Sequence, residues 1–440
     1  MIKQFIYHRW HAHRILIQRL FNEGVWIFIG QISTVTGMLV LVRILTELMK
    51  PAEYGKLALG LTIAGLINQV VLGGITNGIG RFYSIAIEKG DLWGYLNAIQ
   101  KLLGYATLVV LIIALFLTST LLITSQFHWL WLTAAVLLFS VFSGYNSALN
   151  SLQNAARQRA IVALHGGLDA WLKIVLAVGV ILWMGNSSIA VIIGYTLSSI
   201  IITISQVFFL RNLRNHQFLL KKTEKNEDWI WQIWQFSWPF SAWGIFTWAQ
   251  MASDRWALEL FTTSHEVGQY TVVFQLGYAP IGLLTGIIIT LVGPILYQRS
   301  GTANDHTRNT TTHNITWTIA LSSLSITLIA FIFTWFLHKR LFQVLVASNF
   351  QDGSYFLPWV VLAGGLFATG QILSLKLMSE IRSKSLLQVK IGTALFGFIV
   401  NILGAWLYGI NGVITALVIF SAIYLIWMII LTSHVTMLDN

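Results

Sequence analysis

Apolar runs long enough to cross a membrane recur along most of this chain. A run of roughly 20 residues spans the hydrocarbon core of a bilayer as one helix, and in lipid only a helix or a closed barrel satisfies the backbone. The sequence therefore predicts an all-α polytopic membrane protein with about twelve transmembrane helices. The predicted spans are residues 24–49, 57–80, 102–124, 129–150, 164–184, 188–210, 231–253, 269–296, 314–337, 355–378, 391–408 and 412–433.

Composition agrees with a membrane protein and excludes several classes of function. The 440 residues are 56% hydrophobic and only 10% charged, whereas soluble domains carry about 25% charged residues. The chain has no Cys, which excludes disulfides, thiolate metal sites and cysteine nucleophiles. It also lacks a Walker loop, a dinucleotide fingerprint and a His-Glu-x-x-His zinc motif. We therefore expect no enzyme activity, no catalytic residue, no cofactor and no metal site.

The net charge of +11 reflects basic residues that gather in alternate loops. One side of the predicted membrane holds most of them, including Arg157, Arg159 and Lys222, while the other side holds few, such as Lys50 and Lys339. The positive-inside rule then places both termini in the cytoplasm. No basic run resembles a nucleic-acid-binding patch, so nucleic acid is not an expected partner.

Four segments divide the predicted chain. Residues 1–21 carry apolar side chains near helical spacing with basic residues outside that stripe, which is typical of an interfacial helix on anionic lipid. Residues 22–210 and 230–440 each hold six predicted spans and form an N-terminal and a C-terminal six-helix bundle. Residues 211–229 are the only long polar stretch and form a cytoplasmic basic linker between the bundles.

The two halves show signs of an internal repeat. A shift of 213 residues brings Glu53 and Gly55 onto Glu266 and Gly268. An even number of helices in each half makes such a repeat a parallel one, related by an axis along the membrane normal. The same shift relates one further set of small and polar residues, which is Gln69, Gly73, Asn77 and Gly80 with Gly282, Gly286, Thr290 and Gly293.

Polar stripes on the second and seventh predicted helices mark a candidate cavity. Gln69, Asn77 and Arg81 fall at multiples of four residues and therefore share one helix face. Such a stripe is costly against lipid and favours a water-filled cavity. Arg81 has no carboxylate within a turn, so it either binds an anionic head group or reaches to lipid phosphates. Gln250 and Asp254 lie on one face of the seventh helix.

Most other charges near the spans have a partner four residues away, where opposite charges meet on a helix. Mutual neutralisation and functional burial are both open interpretations. No predicted span carries a carboxylate near its middle, which weakens exchange of a cation for protons and favours a cavity of positive or neutral character. The predicted pairs are Arg43 with Glu47, Lys173 with Asp169, Arg255 with Glu259, and Lys376 with Glu380.

Short motifs in both halves resemble a known family. They are Val42-Arg43-Ile44-Leu45, Pro51-Ala52-Glu53-Tyr54-Gly55, Gly80-Arg81-Phe82-Tyr83, Ser253-Asp254-Arg255 and Glu266-Val267-Gly268-Gln269-Tyr270. With the six-plus-six layout, they resemble the O-antigen and polysaccharide flippases of the multidrug/oligosaccharidyl-lipid/polysaccharide exporter superfamily. Twelve helices rather than fourteen argue against the lipid II exporters of that superfamily.

The resemblance implies a MATE-like pair of bundles in the bacterial cell inner membrane that opens alternately to each side. It implies an undecaprenyl-diphosphate-linked oligosaccharide as the substrate, contacted by Arg43, Arg81 and Arg255. Membrane lipids, an H+ or Na+ coupling ion and polysaccharide polymerase machinery are the further candidate partners. The buried position of Lys173 and the polar stripes add the remaining candidate substrate-binding residues, which are Asp254, Lys173, Gln69, Asn77 and Gln250.

Two alternatives stay open at this point. A multidrug or cation exporter of the same superfamily predicts sensitivity to cationic dyes on deletion, with unchanged glycan. A membrane polysaccharide polymerase or ligase needs outer loops that assemble a catalytic site, and the longest predicted outer loop, residues 338–354, is short.

Overall fold

Helices form every regular element of the computed structural model, which describes residues 2–123, 127–217, 228–300, 306–380 and 383–433. This confirms the all-α prediction for the described residues. The elements are α1 (Ile2–Leu48), α2 (Pro51–Ile67), a π-helix (Asn68–Leu72), α3 (Gly73–Glu88), α4 (Leu92–Ile123), α5 (Phe127–Ala155), α6 (Arg159–Met184), α7 (Ser188–Gln217), α8 (Trp229–Phe261), α9 (Ser264–Ser300), α10 (His306–Leu345), a 3-10 helix (Ser348–Phe356), α11 (Leu357–Ser379) and α12 (Ser383–Thr432).

Ten stretches of the described chain are long and apolar enough to cross a membrane, so the protein is a multi-pass membrane protein. The predicted number of twelve exceeds this count for two reasons. The tryptophan-rich α8 is 33 residues long but lies outside the ten. In addition, one of the ten is Gln388–Thr432, whose backbone breaks at Gly409 with φ +56° and ψ −134°. That break falls between the predicted spans 391–408 and 412–433.

The predicted domain borders differ from the helix borders at two places. α1 is continuous from Ile2 to Leu48, so residues 2–21 of the predicted interfacial segment are joined to the first span without a break. The side chains of residues 1–23 lie outside the described part, and their interfacial position stays a prediction. α7 continues to Gln217, into the predicted linker 211–229, of which residues 218–227 also lie outside the described part.

Neighbouring helices pack into two groups that follow the chain order. In the first half, α6 packs against α1 and α7, and α5 packs against α7. In the second half, α11 packs against α9, α10 and α12, and α8 packs against α12. The halves meet mainly where α2 lies along α9 and where α3 and the π-helix lie along α8.

The contact between α2 and α9 brings the two backbones together. A Cβ atom on Gly55 would lie 3.0 Å from the backbone nitrogen of Gly268, and one on Gly268 would lie 3.1 Å from the backbone nitrogen of Gly55. We call this contact the glycine crossing. The same two glycines are related by the 213-residue shift. Equivalent residues contact each other around a two-fold axis, so the crossing supports the predicted repeat.

Side chains close the structure around the glycine crossing. The Tyr54 hydroxyl on α2 donates to Oε1 of Gln275 on α9 at 2.5 Å. The backbone N–H of Ala347 donates to Oγ1 of Thr46 on α1 at 3.2 Å. Both bonds join the first half to the second at the end of the molecule where α1 ends and α9 begins.

The second contact between the halves also depends on small residues. A Cβ atom on Gly74 of α3 would lie 2.7 Å from the carbonyl oxygen of Ser237 on α8. One on Gly78 would lie 2.8 Å from Cγ2 of Ile233, a turn closer to the start of α8. Small residues allow this close approach of helix backbones in a membrane, where packing replaces the hydrophobic effect.

We expect the variant Gly55→Ala to lower the free energy of unfolding by about 1–3 kcal/mol, because the added methyl group forces two backbones apart. Gly65→Ala, on the same helix, is the matched control because nothing lies within 4 Å of its Cβ position. Unfolding in mixed micelles with increasing SDS measures the difference. Equal stability of the two variants would show that the crossing is not tightly packed.

Candidate functional site

The predicted polar stripe on the second membrane helix is interrupted by the π-helix Asn68–Leu72. A π-turn holds an extra residue, so positions four apart across it no longer share a face. Gln69 is half-buried, and its Oε1 has no hydrogen-bond partner among the described residues. The backbone carbonyl oxygen of Gln69 packs against α8, 2.7 Å from where a Cβ atom on Gly244 would lie. The prediction of one continuous face from Gln69 to Arg81 is therefore wrong.

The remainder of that stripe lies on the exposed face of α3. Asn77 is exposed, and its amide donates to the carbonyl oxygen of Gly73 at 3.1 Å. Arg81 is also exposed, and its guanidinium has no hydrogen-bond or ion-pair partner within the part of the chain described. Gly74 and Gly78, each one position further along, pack closely against α8 of the second half.

Asp254 on α8 is the centre of a buried cluster. Its side chain is 5% exposed. It accepts hydrogen bonds from the Tyr270 hydroxyl at 2.6 Å and from the backbone N–H of Arg255 at 2.7 Å. The Arg255 guanidinium lies 3.5 Å from the same carboxylate and 4.6 Å from the ring centroid of Phe274. The predicted pair of Arg255 with Glu259 is wrong, because the guanidinium turns toward this carboxylate and aromatic face instead.

The ion pair between Lys173 and Asp169 on α6 is confirmed, with a distance of 2.5 Å. Ser198 on α7 donates a further hydrogen bond to Asp169 at 2.9 Å, and the Lys173 ammonium lies 5.9 Å from the ring centroids of Phe139 and Tyr195. Asp169 lies ten residues from the start of the 26-residue α6. The prediction that carboxylates lie only near span ends is therefore wrong, but this carboxylate is already paired.

The other two predicted pairs are also confirmed. Arg43 and Glu47 are 3.2 Å apart on the exposed surface of α1, where their side chains are 41% and 61% exposed. Lys376 and Glu380 are 3.6 Å apart and fully buried, and the Lys376 ammonium also donates to the carbonyl oxygen of Thr432 at 2.7 Å. The first pair lies on the surface, and the second fixes α11 to the end of α12.

A cavity of about 400 Å³ lies between the halves, and we call it the seam cavity. Its described lining contains no lysine ammonium and no carboxylate, but it does contain amides and one guanidinium. Arg159 donates to Oδ1 of Asn154 at 2.5 Å, while its Nε and Oε1 of Gln31 have no partner among the described residues. Both atoms are buried, so neither is open to a ligand in this state. The lining is Ile27, Gly30, Gln31, Thr34, Asn150, Asn154, Arg159, Val162, Ala163, Gly166, Gly282, Leu283, Gly286, Ile287 and Thr290.

A second cavity, of about 300 Å³, lies within the C-terminal half between α8, α9, α11 and α12. We call it the C-bundle cavity. Its lining combines amide, ammonium and carboxylate groups with aromatic rings. The residues are Trp243, Thr247, Gln250, Met251, Asp254, Phe274, Tyr278, Phe367, Gln371, Lys390, Thr393, Gly397, Asn401, Leu417, Phe420 and Tyr424.

A third space of about 600 Å³ is a mainly apolar groove between the π-helix, α3, α4 and α8. Both halves contribute walls, with Val71 and Ala106 from the first and Trp234 from the second. Tyr105 and Trp231 at its rim are 58% and 59% exposed. The groove is a contact surface for an apolar chain, and the charged side chain in its described lining is Asp228, which caps α8.

The structure brings only some of the predicted site residues together. Gln250 and Asp254 both line the C-bundle cavity, with Arg255 packed behind it on Phe274. The other five candidates, Arg43, Arg81, Lys173, Gln69 and Asn77, line none of the three spaces.

Sequence reasoning missed several lining residues for which a signal existed. Gln31 and Asn401 are polar residues inside predicted spans, and Gln371 interrupts another apolar run. Lys390 was placed in a loop because the predicted span began at residue 391, whereas α12 begins at Ser383. Arg159 is the first residue of α6. In the described ranges, no three His, Asp or Glu side chains are grouped so that they could hold a metal ion.

The fold is that of multi-pass membrane transporters with two helix bundles. A lipid II flippase, MurJ, in an inward closed conformation matches with a TM-score of 0.71 and 12% identity over 94% of this chain and 88% of that one. A multidrug resistance MATE family transporter of the MOP superfamily, in an outward-facing conformation, matches with a TM-score of 0.59 and 15% identity over 94% and 95%. A mutant of the Vibrio cholerae MATE transporter VcmN matches with a TM-score of 0.58 and 14% identity over 96% and 97%.

The family follows from the sequence itself. Residues 20–300 match the family model described as polysaccharide biosynthesis protein, and the chain belongs to this family. A comparison with curated proteins finds no match. The matched structures are transporters rather than enzymes, in agreement with the predicted superfamily and fold class. Their low identity shows the fold alone, so the MurJ match does not carry its lipid II substrate to this chain.

We expect Lys173→Met to lower the free energy of unfolding by about 2 kcal/mol, below the roughly 3–5 kcal/mol of a fully buried pair, because it leaves the Asp169 carboxylate unpaired. The double variant Lys173→Met/Asp169→Asn should recover most of that loss. Arg43→Met is the control, because its exposed pair contributes little. SDS-induced unfolding measures all three. A stable double variant that no longer functions would favour a role of this pair beyond structure.

Proposed function

We propose that the protein is a flippase that moves an undecaprenyl-diphosphate-linked oligosaccharide across the bacterial cytoplasmic membrane by alternating access. The substrate is the repeat unit of an O-antigen, as in lipopolysaccharide, or of another surface polysaccharide. The sugar and diphosphate cross between the two halves while the lipid tail stays in the bilayer. The polysaccharide biosynthesis family and the flippase and transporter folds support this proposal.

The observation that carries the proposal is a polar seam cavity on one side of the membrane with a closed contact on the other. The glycine crossing joins α2 to α9 at one end. The seam cavity lies toward the opposite end, where α6 begins at Arg159 and where Gln31 of α1 faces α9. This is the arrangement of a path that is accessible from one side at a time.

The distribution of charge supports our proposal that this structure is an inward-facing state, in which the seam cavity opens toward the cytoplasm. The cavity end carries Arg157 and Arg159, and the positive-inside rule places that end in the cytoplasm. Both termini are then cytoplasmic, in a multi-pass protein of the inner membrane. The Arg159 guanidinium in the cavity lining suits a diphosphate, since a guanidinium binds phosphate oxygens through directed hydrogen bonds.

The electrostatics of the interior favour an anionic or neutral substrate over a cationic drug. Asp169 is paired with Lys173, and Asp254 is paired with Arg255. A cation entering either region would meet a carboxylate that is already neutralised. The cation exporter nevertheless shares the fold, and it is the second candidate. A polymerase needs outer loops that assemble a catalytic site. The connection from α10 to α11 contains instead a nine-residue, partly buried 3-10 helix, Ser348–Phe356, so this alternative is disfavoured.

The driving force of transport follows from the same layout. With no nucleotide-binding motif in the sequence, net movement requires an H+ or Na+ gradient or consumption of the product by polymerase machinery on the far side. Differential binding of the substrate to the inward-facing and outward-facing states is sufficient to shift the population between them.

We expect Gly286→Trp to abolish transport, because an indole at this position fills the seam cavity. Gly179→Trp is the matched control, since both glycines have no atom within 4 Å of their Cβ positions but Gly179 lies outside the cavity. Each variant is expressed in a deletion strain, and the surface polysaccharide and the pool of lipid-linked units are measured. The control should restore both pools, and Gly286→Trp should leave single lipid-linked units accumulated inside.

Three other outcomes are informative. If the deletion strain displays single unpolymerised units on its surface, flipping does not require this protein and the polymerase alternative replaces the proposal. If neither pool changes but cationic dyes become toxic, the protein is a drug exporter. If Gly286→Trp restores both pools, the substrate does not pass through the seam cavity.

A further inference from the structure

The C-bundle cavity contains an ammonium group that no other residue neutralises. Lys390 lines the cavity from α12 and is half-buried. Its side chain makes no hydrogen bond or ion pair with any residue that the structure describes. Holding an unpaired charge out of water is unfavourable, so such a group is normally paired or functional.

The nearby carboxylate does not account for Lys390. One oxygen of Asp254 accepts from the Tyr270 hydroxyl, and the other accepts from the backbone and side chain of Arg255. The charge of Asp254 is therefore balanced by Arg255, and no Lys390 ion pair within 4.0 Å is formed. The cavity keeps one net positive charge, and the ligand that complements it is an anion.

The rest of the lining is suited to a sugar ring. Gln250 and Gln371 present amides, which can donate and accept hydrogen bonds as a sugar hydroxyl requires. Nδ2 of Asn401 donates to Oγ of Ser253 at 2.9 Å, so this residue contributes its Oδ1 as an acceptor. Aromatic rings form much of the remaining wall and offer flat apolar faces to the C–H face of a pyranose. They are Trp243, Phe274, Tyr278, Phe367, Phe420 and Tyr424.

Size limits what the cavity holds. Its volume of about 300 Å³ is at the lower end of the range for ligand pockets, roughly 300–1,000 Å³. It accommodates one or two sugar rings rather than a whole repeat unit or a lipid diphosphate with its tail. The seam cavity, which carries Arg159, is separate in its lining and shares no residue with it.

We propose that the C-bundle cavity is a recognition pocket for an acidic sugar of the transported oligosaccharide, with the Lys390 ammonium paired to its carboxylate or phosphate. This inference rests on the proposed flippase function and adds the substrate class, which is a repeat unit that carries a negative charge on a sugar. Gln371 and Asn401 orient the ring, and the aromatic walls exclude water from the ion pair. Lys390 is thus a specificity-determining residue rather than a general binder of diphosphate.

The test uses the full-length protein in proteoliposomes and a matched pair of substrates. One substrate is a lipid-linked oligosaccharide with a uronic acid, and the other is the same molecule with its carboxyl group reduced to an alcohol. We expect Lys390→Gln to lower the initial flipping rate of the acidic substrate about tenfold or more, because a charge-assisted bond is lost. The rate for the reduced substrate should change less than twofold. Lys390→Arg should keep most of the activity toward the acidic substrate.

Because the natural chain has no Cys, a single Lys390→Cys variant permits a rescue experiment. Reaction with 2-aminoethyl methanethiosulfonate restores an ammonium at this position, and flipping of the acidic substrate should recover. Reaction with the neutral methyl reagent should not restore it. This comparison is made on one folded sample, so a folding defect cannot imitate the result.

Two results would overturn the inference. If Lys390→Gln slows both substrates equally, or slows neither, the pocket does not read the acidic group, while the flippase function stands. If the wild-type protein flips neither substrate and a deletion strain keeps its normal surface polysaccharide and lipid-linked pool, the proposed function fails and this inference fails with it.

Discussion

The contact of Gly55 with Gly268 is the constraint on which the rest of the structure depends. The two backbones approach so closely that a Cβ atom on either glycine would lie within about 3.1 Å of the other's nitrogen. The 213-residue shift relates these two glycines, so in the predicted repeat the crossing lies where a two-fold axis would pass. The second tight contact, of Gly74 and Gly78 on α3 with the start of α8, also joins the halves away from the crossing. The seam cavity lies between α1, α6 and α9, away from the crossing.

The distribution of charge is consistent with this mechanical arrangement. The ion pairs of Asp169 and Asp254 neutralise the interior carboxylates of the two bundles. Among the described residues, Arg159 in the seam cavity and Lys390 in the C-bundle cavity then remain without a carboxylate partner. The apolar groove beside α4 and α8 is a separate surface. The protein therefore offers complementary surfaces to both parts of a substrate with an anionic head and an apolar tail. It offers no such match to a small cationic drug.

The sequence predicted the architecture well and the site only in part. Apolar run length sets the fold in lipid, so the helical class was accessible from pattern alone. The predicted repeat relates Gly55 to Gly268, which are in contact. Local spacing also predicted the pair of Lys173 with Asp169. It failed at Gln69, where the π-helix shifts the register, and at Arg255, which pairs with its own neighbour. The predicted spans also missed Lys390. The predicted span begins at residue 391, after this lysine, so Lys390 was predicted to be a loop residue, whereas α12 begins at Ser383.

The most direct test of the account measures whether the two halves move about the glycine crossing. Leu164 on α6 and Leu284 on α9 are exposed residues that flank the seam cavity from different halves. Spin labels at Leu164→Cys and Leu284→Cys in the otherwise Cys-free chain report their separation by pulsed electron resonance in nanodiscs. The account predicts a second, shorter distance population when a lipid-linked acidic oligosaccharide is added. An unchanged single distance, in a labelled protein that still flips the substrate, would contradict it.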